Sequence, residues 1–122
     1  MLTPLADRWA VLLQTRKRDG SWVGTPVNLA VSEGRGYFGT PAKTAKVKRL
    51  RNFDAVEVAP CTPRGRPTGP SIAGRARLLE GEEAEAATRL LTRKHPFVYR
   101  VLVPLELRMK RTRGLVYELT VS

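Results

Sequence analysis

Sulfur and imidazole are scarce in this chain: one cysteine, Cys61, and one histidine, His95, in 122 residues. A lone cysteine excludes an intrachain disulfide, and with one histidine beside it a cysteine–histidine zinc site has too few ligands; no metal site is expected. Acidic residues are half as numerous as basic ones, 11 against 22, for a formal charge of +11. No run approaches the roughly 18 apolar residues of a membrane span. Residues Met1 to Ala10 include Asp7 and Arg8 and lack the apolar core of a secretory leader. A cytoplasmic location is the expectation.

What is present suffices for one compact domain, residues 1–122, and not for two. A chain of this size buries only about two-thirds of its unfolded surface, so a second subunit would help enclose a cofactor-sized ligand. The cationic excess attracts polyanions in general, including nucleic acids, anionic lipids and phosphorylated cofactors, and does not choose among them.

Along the chain, Thr3 to Trp9 reads as a helical turn with Pro4 at its first position. Ala10 to Thr15 reads as a strand, and Arg16 to Gly20 as a hairpin turn, because Asp-Gly tolerates positive φ. Trp22 to Ser32 reads as one further strand. Pro26 within it has no amide hydrogen and must sit at an edge, bulge or irregular point. Glu33-Gly34 turns the chain into a strand at Arg35 to Thr40. After the basic segment come a strand at Phe53 to Pro60, a turn at Arg64 to Pro70 and a strand at Ser71 to Leu79. Glu80 to Thr92 is rich in helix formers with acidic residues at its start. Pro96 and Pro104 interrupt any pattern from His95 to Lys110, and Leu115 to Val121 is a final strand. The expected fold is mainly β with peripheral helices, a small antiparallel barrel of about six strands. The G-x-G-x-x-G dinucleotide fingerprint is absent.

The densest cationic stretch is "GTPAKTAKVKRLRN", residues 39 to 52. Wound as a helix from Thr44 to Asn52, it puts Val47 and Leu50 together on a packing face. Thr44 and Lys46 fall in the first turn, where unpaired amides and the positive end of the dipole favour an anion. A solvated helix face, a phosphorylated cofactor and nucleic acid all remain open on this pattern. Residues 41 to 52 hold no aromatic for base stacking. No catalytic pair is evident. His95, Tyr99 and Tyr117 are candidate proton donors, with packing favoured for Tyr117.

Several runs together, "LLQTRKRDGSWVGTPVNLAV", "GYFGTPAKTAKVKRLRN", "VEVAPCTPRGRPTGPSIAGRARLLEGEEAEAATRLL" and "LVYELTV", resemble the split β-barrel, pyridoxamine 5'-phosphate oxidase-like proteins. The particular likeness is to their small actinobacterial branch that uses coenzyme F420. That resemblance implies a homodimer with a cofactor site at the subunit interface, and an oxidoreductase passing a hydride between the deazaflavin and a small enone- or quinone-like molecule. It implies that Thr25, Pro26 and Val27 run beside the cofactor ring. Thr44 and Lys46 match the element that receives the phosphate, Lys48 and Arg49 reach the anionic tail, and Pro41 and Ala42 occupy the approach. Asn28 stands where many relatives carry an aromatic residue and is the substrate-side candidate. FMN is the alternative cofactor, and a tetrapyrrole a further one. A non-enzymatic coenzyme carrier and a polyanion- or nucleic-acid-binding module are the alternative functions; specific nucleic acid and membrane partners are not expected.

Overall fold

The computed structural model describes residues 10–62 and 64–121. The turn expected at Thr3 to Trp9 lies outside them. In chain order the elements are β1 (Val11–Arg16), β2 (Trp22–Val27), β3 (Ala30–Ser32), β4 (Arg35–Pro41), α1 (Ala45–Asn52), β5 (Ala55–Pro60), β6 (Ile72–Leu78), α2 (Gly81–Lys94), a π-helical segment (Val98–Leu102), α3 (Val103–Lys110) and β7 (Gly114–Val121). The strands form one antiparallel sheet in the order β2-β1-β5-β6-β7-β4-β3.

That order corrects the expected strand count from six to seven. The run from Trp22 to Ser32 breaks at Asn28-Leu29, so its halves become the two outermost strands of the sheet. Two residues joining opposite edges can span only about 11 Å between Val27 and Ala30. The sheet must therefore curl until its edges nearly meet. Val27, Leu29 and Phe38 share one buried cluster with Leu13, Val58 and Leu119, which places the core inside the curl. Pro26 lies on edge strand β2, where its missing amide hydrogen costs no ladder bond.

Local chemistry sets the turns. The Asp19 carboxylate accepts from the Ser21 amide at 2.9 Å and the Ser21 hydroxyl at 2.6 Å, while Gly20 takes φ +90°. Between β3 and β4, Glu33 and Gly34 both have positive φ (54° and 78°), the geometry of a two-residue hairpin whose twist suits its strands. On the sheet's outside, α2 has Glu82 and Glu83 in its first turn and Arg93 and Lys94 in its last, as the helix dipole favours. It buries Ala87 and Leu91 and runs two residues past the expected end at Thr92.

The stretch after His95 is helical in spite of its prolines. Pro104 sits in the first turn of α3, and a proline there cannot donate to the turn before it. The preceding turn widens into the π register, with the Val103 amide donating to the Val98 carbonyl five residues back. Helix and proline coexist through that widening.

Candidate anion and cofactor site

Thr44 is the N-cap of α1: its φ is extended, and its hydroxyl accepts from the Val47 amide at 3.4 Å. The same hydroxyl donates to the Pro41 carbonyl at 3.2 Å. The hydroxyl expected to reach a phosphate is thus engaged within the chain. What the helix start leaves without a partner, among the described residues, is the pair of amides of Ala45 and Lys46. Val47 and Leu50 are buried against the sheet as the helical spacing predicts.

Lys46 is half-buried. Burial pushes its ammonium pKa down, the nearby positive charges of Arg49 and Lys110 push the same way, and Glu106 opposes them. Lys110 and Glu106 belong to α3, whose approach to α1 was not legible from spacing. Arg49 is held by its Nε, which donates to the Thr15 hydroxyl on β1 at 2.6 Å. Thr15 is fully buried, so this bond fastens the cationic helix to the barrel wall. Lys48 and Arg51 are exposed.

Beside the helix start lies an open groove of about 610 Å³. Its walls include Ala42 and four cations, Lys43, Arg108, Arg111 and Arg113, and no carboxylate. The Ala42 amide donates to the Arg113 carbonyl at 2.8 Å, which joins the approach to α1 with the start of β7. Arg111 ends α3 in the left-handed conformation at φ +51°, and this reversal carries the chain from helix to groove wall. Sequence reasoning missed Arg108, Arg111 and Arg113. Their signal was basic clustering near residue 110, with nothing to say which strand or helix it faced.

Thr25, Pro26, Val27 and Asn28 lie elsewhere. Thr25 pairs with Leu13 and Val27 with Val11, on the edge of the sheet. The Thr25 hydroxyl oxygen is buried without a hydrogen-bond partner, an orphan that a ligand's polar edge would satisfy. Gly65 approaches Pro26 closely, since an added Cβ would stand 3.4 Å from its ring. The register places Thr25 and Val27 on the β2 edge strand, paired with β1 and not with the start of α1. Among the cations of the β1–β2 hairpin, Arg16 is placed away from the helix start. Arg16 lies over Trp22 and Phe53, 5.5 and 6.0 Å from the ring centroids, and Phe53 is the C-cap at the far end of α1.

Of the candidate proton donors, His95 is buried, and its Nε2 donates to the Leu29 carbonyl at 3.2 Å, pinning the link between the sheet's edges. Burial lowers its pKa. Tyr117 stacks on Phe38 with centroids 5.3 Å apart. Tyr99 is different: its oxygen accepts from the Gly39 amide at 3.2 Å, and burial pushes its pKa up to about 12. Cys61 is buried and unbridged, and burial raises its thiol pKa. No group of three metal-ligating side chains and no helix long and apolar enough to cross a membrane occurs among the described residues.

No protein-family model matches the sequence, and no curated protein matches it. Solved structures are similar in shape. The heme storage protein HutZ from Vibrio cholerae aligns with a TM-score of 0.73 at 10% identity, over 95% of this chain and 83% of that one. A provisionally assigned pyridoxamine 5'-phosphate oxidase from Listeria innocua gives 0.66 at 14%, over 99% and 90%. A heme binding protein from Mycobacterium smegmatis gives 0.68 at 16%, over 97% of this chain but 48% of that one. Identities this low carry the architecture and leave the chemistry open. The chain has the split β-barrel fold of the pyridoxamine 5'-phosphate oxidase-like proteins.

Proposed function

We propose that this chain is an F420-dependent oxidoreductase, acting as a homodimer that binds the deazaflavin between its subunits. The observation that carries the reading is the start of α1: two unpartnered amides and a half-buried lysine among like charges, opening onto a groove lined by four cations. Such a site suits an anion. The coenzyme's phosphate would lie against the Ala45 and Lys46 amides and the Lys46 ammonium. Its carboxylate-bearing tail would follow Lys43, Arg108, Arg111 and Arg113, whereas FMN's single phosphate leaves that groove unused. Pro41 and Ala42 would form the approach, and Lys48 and Arg49 would add positive field. Thr25, Pro26 and Val27 of the other subunit would border the ring, with Asn28 toward the substrate.

When bound, the deazaflavin supplies hydride transfer, so the protein needs little acid–base machinery of its own. Its residues fix the phosphate, hold the ring and leave one face open to a small enone- or quinone-like substrate. Heme is the competing ligand, because similar structures bind it. Against it stands His95: the chain's one histidine is buried with Nε2 on Leu29, so an axial ligand would have to come from another residue type.

The test is a titration of oxidised F420, FMN, hemin and a short DNA duplex at two salt concentrations, with sedimentation to count subunits. F420 binding with weak salt dependence by a particle of about twice 13.6 kDa is expected. Lys46→Ala should weaken that binding about ten-fold or more, and Arg51→Ala by less than about three-fold. Tight duplex or hemin binding without F420 binding would overturn the proposal, as would equal losses in the two variants.

A further inference from the structure

The two faces of the β4–β7 pair are filled differently. In their register Phe38 faces Tyr117, on the side where Leu50 of α1 packs. The next pairs, Gly39 with Val116 and Pro41 with Gly114, face the opposite way, because side chains alternate along a strand. On that outer side lies a hollow of about 330 Å³, roofed by Tyr99, Val103 and Leu107. Two glycines make the room. A Cβ on Gly39 would stand 2.9 Å from the Tyr99 oxygen, and one on Gly114 would stand 3.3 Å from Leu107.

The walls are mainly apolar and carry three hydroxyls: Thr88, which donates to the Ala84 carbonyl, Thr40, whose buried oxygen has no partner, and Tyr99. The Tyr99 oxygen accepts from the Gly39 amide, and its own proton has no acceptor among the described residues. An unused donor in an apolar hollow calls for an acceptor. The volume is roughly twice the about 150 Å³ that encloses a benzene molecule in a protein interior. A double negative charge or a long tail has no counterpart in this lining, which contains no cation.

We propose that this hollow is a binding site for a small, uncharged, mainly apolar molecule of bicyclic size, carrying one oxygen that accepts from Tyr99. The hollow shares Pro41 with the approach to α1 and Leu107 with the cationic groove, so its occupancy is tested without cofactor. With a pKa of about 12, Tyr99 stays protonated throughout the neutral range and keeps its donor.

A matched pair of probes isolates the claim: 1-tetralone and tetralin differ by a carbonyl oxygen. Each is titrated into the full isotopically labelled chain, without cofactor, and followed by amide resonances. Both should shift Gly39, Leu115 and Val116, with tetralone binding about three- to ten-fold tighter, the worth of one neutral hydrogen bond. Tyr99→Phe should erase that preference while leaving tetralin affinity within about two-fold. Gly114→Ala, which keeps the Tyr99–Gly39 bond but crowds Leu107, should weaken both probes by similar factors. Equal affinities for the two probes in the wild type would overturn the proposal. So would a tetralone preference that survives Tyr99→Phe, shifts confined to other residues, or no shift up to the solubility limit. If Tyr99→Phe fails to fold, the wild-type ratio and the Gly114→Ala result decide.

Discussion

The inner and outer faces of the β4–β7 pair are separated by one residue of register, and they serve opposite ends. Inside, Phe38 lies flat on Tyr117, and Val47 and Leu50 of α1 cover the barrel. Outside, Glu118 sits between Arg35 and Arg77 at 3.3 and 3.4 Å at one end, while the other end is hollow under α3. That roof leaves Phe97, Val101, Leu105 and Met109 to solvent. Close packing fills the first face, while the second leaves a hollow of about 330 Å³ under α3.

The strongest way to break this contrast is a paired truncation. Phe38→Ala should cost about 3–5 kcal/mol of unfolding free energy by removing a fully buried ring. Met109→Ala, at a side chain 75% exposed, should cost less than about 0.5 kcal/mol. Denaturant titrations of both report the difference. Similar losses would mean that α3 is covered by something that holds it as firmly as the core.

His95 sharpens the comparison, since it ties α2's end to the link between the sheet's edges. His95→Leu should cost about 1–3 kcal/mol, through the Leu29 carbonyl left without its donor. Burial lowers the folded pKa below the ordinary 6.5. Between those two values the unfolded chain carries the proton and the folded chain does not, so stability falls as pH drops through the window below 6.5. Thermal melts from pH 7.5 to 5 should show that decline in the wild type and a flatter profile in His95→Leu.

Smaller effects test the helix that closes the inner face. Thr44→Ala removes the cap bond to Val47 and the bond to Pro41, and should cost about 1 kcal/mol. Asp54→Asn breaks only an exposed pair with Arg75 at 2.8 Å and should shift stability by less than about 0.5 kcal/mol. A larger loss for Asp54→Asn than for Thr44→Ala would put more weight on the outer surface than its geometry supports.

Elements whose causes are local were legible in the sequence. The Asp19-Gly20 turn, the paired burial of Val47 and Leu50 and the edge position of Pro26 all follow from neighbours within a few residues. The break at Asn28-Leu29 was hidden because a single asparagine between a valine and a leucine is a weak strand breaker, and the group that holds Leu29 is a histidine 66 positions away. Pro96 and Pro104 obscured a helix, since a π turn has no composition of its own. In the candidate site the helix start was readable. Its completion by Glu106, Lys110 and the three arginines near β7 depended on a sheet order that spacing does not encode.

In the proposed site, the depressed ammonium of Lys46 would tie anion capture to proton traffic. Burial and the positive charges of Arg49 and Lys110 lower its pKa, and a phosphate arriving beside it would restore the ordinary value. At alkaline pH each binding event would therefore draw protons from the solvent. Calorimetric titrations near pH 9 should give heats that vary with the ionisation enthalpy of the buffer, and apparent affinity should decline as pH rises. In the Lys46→Ala variant that buffer dependence should vanish, leaving whatever binding the helix amides provide by themselves.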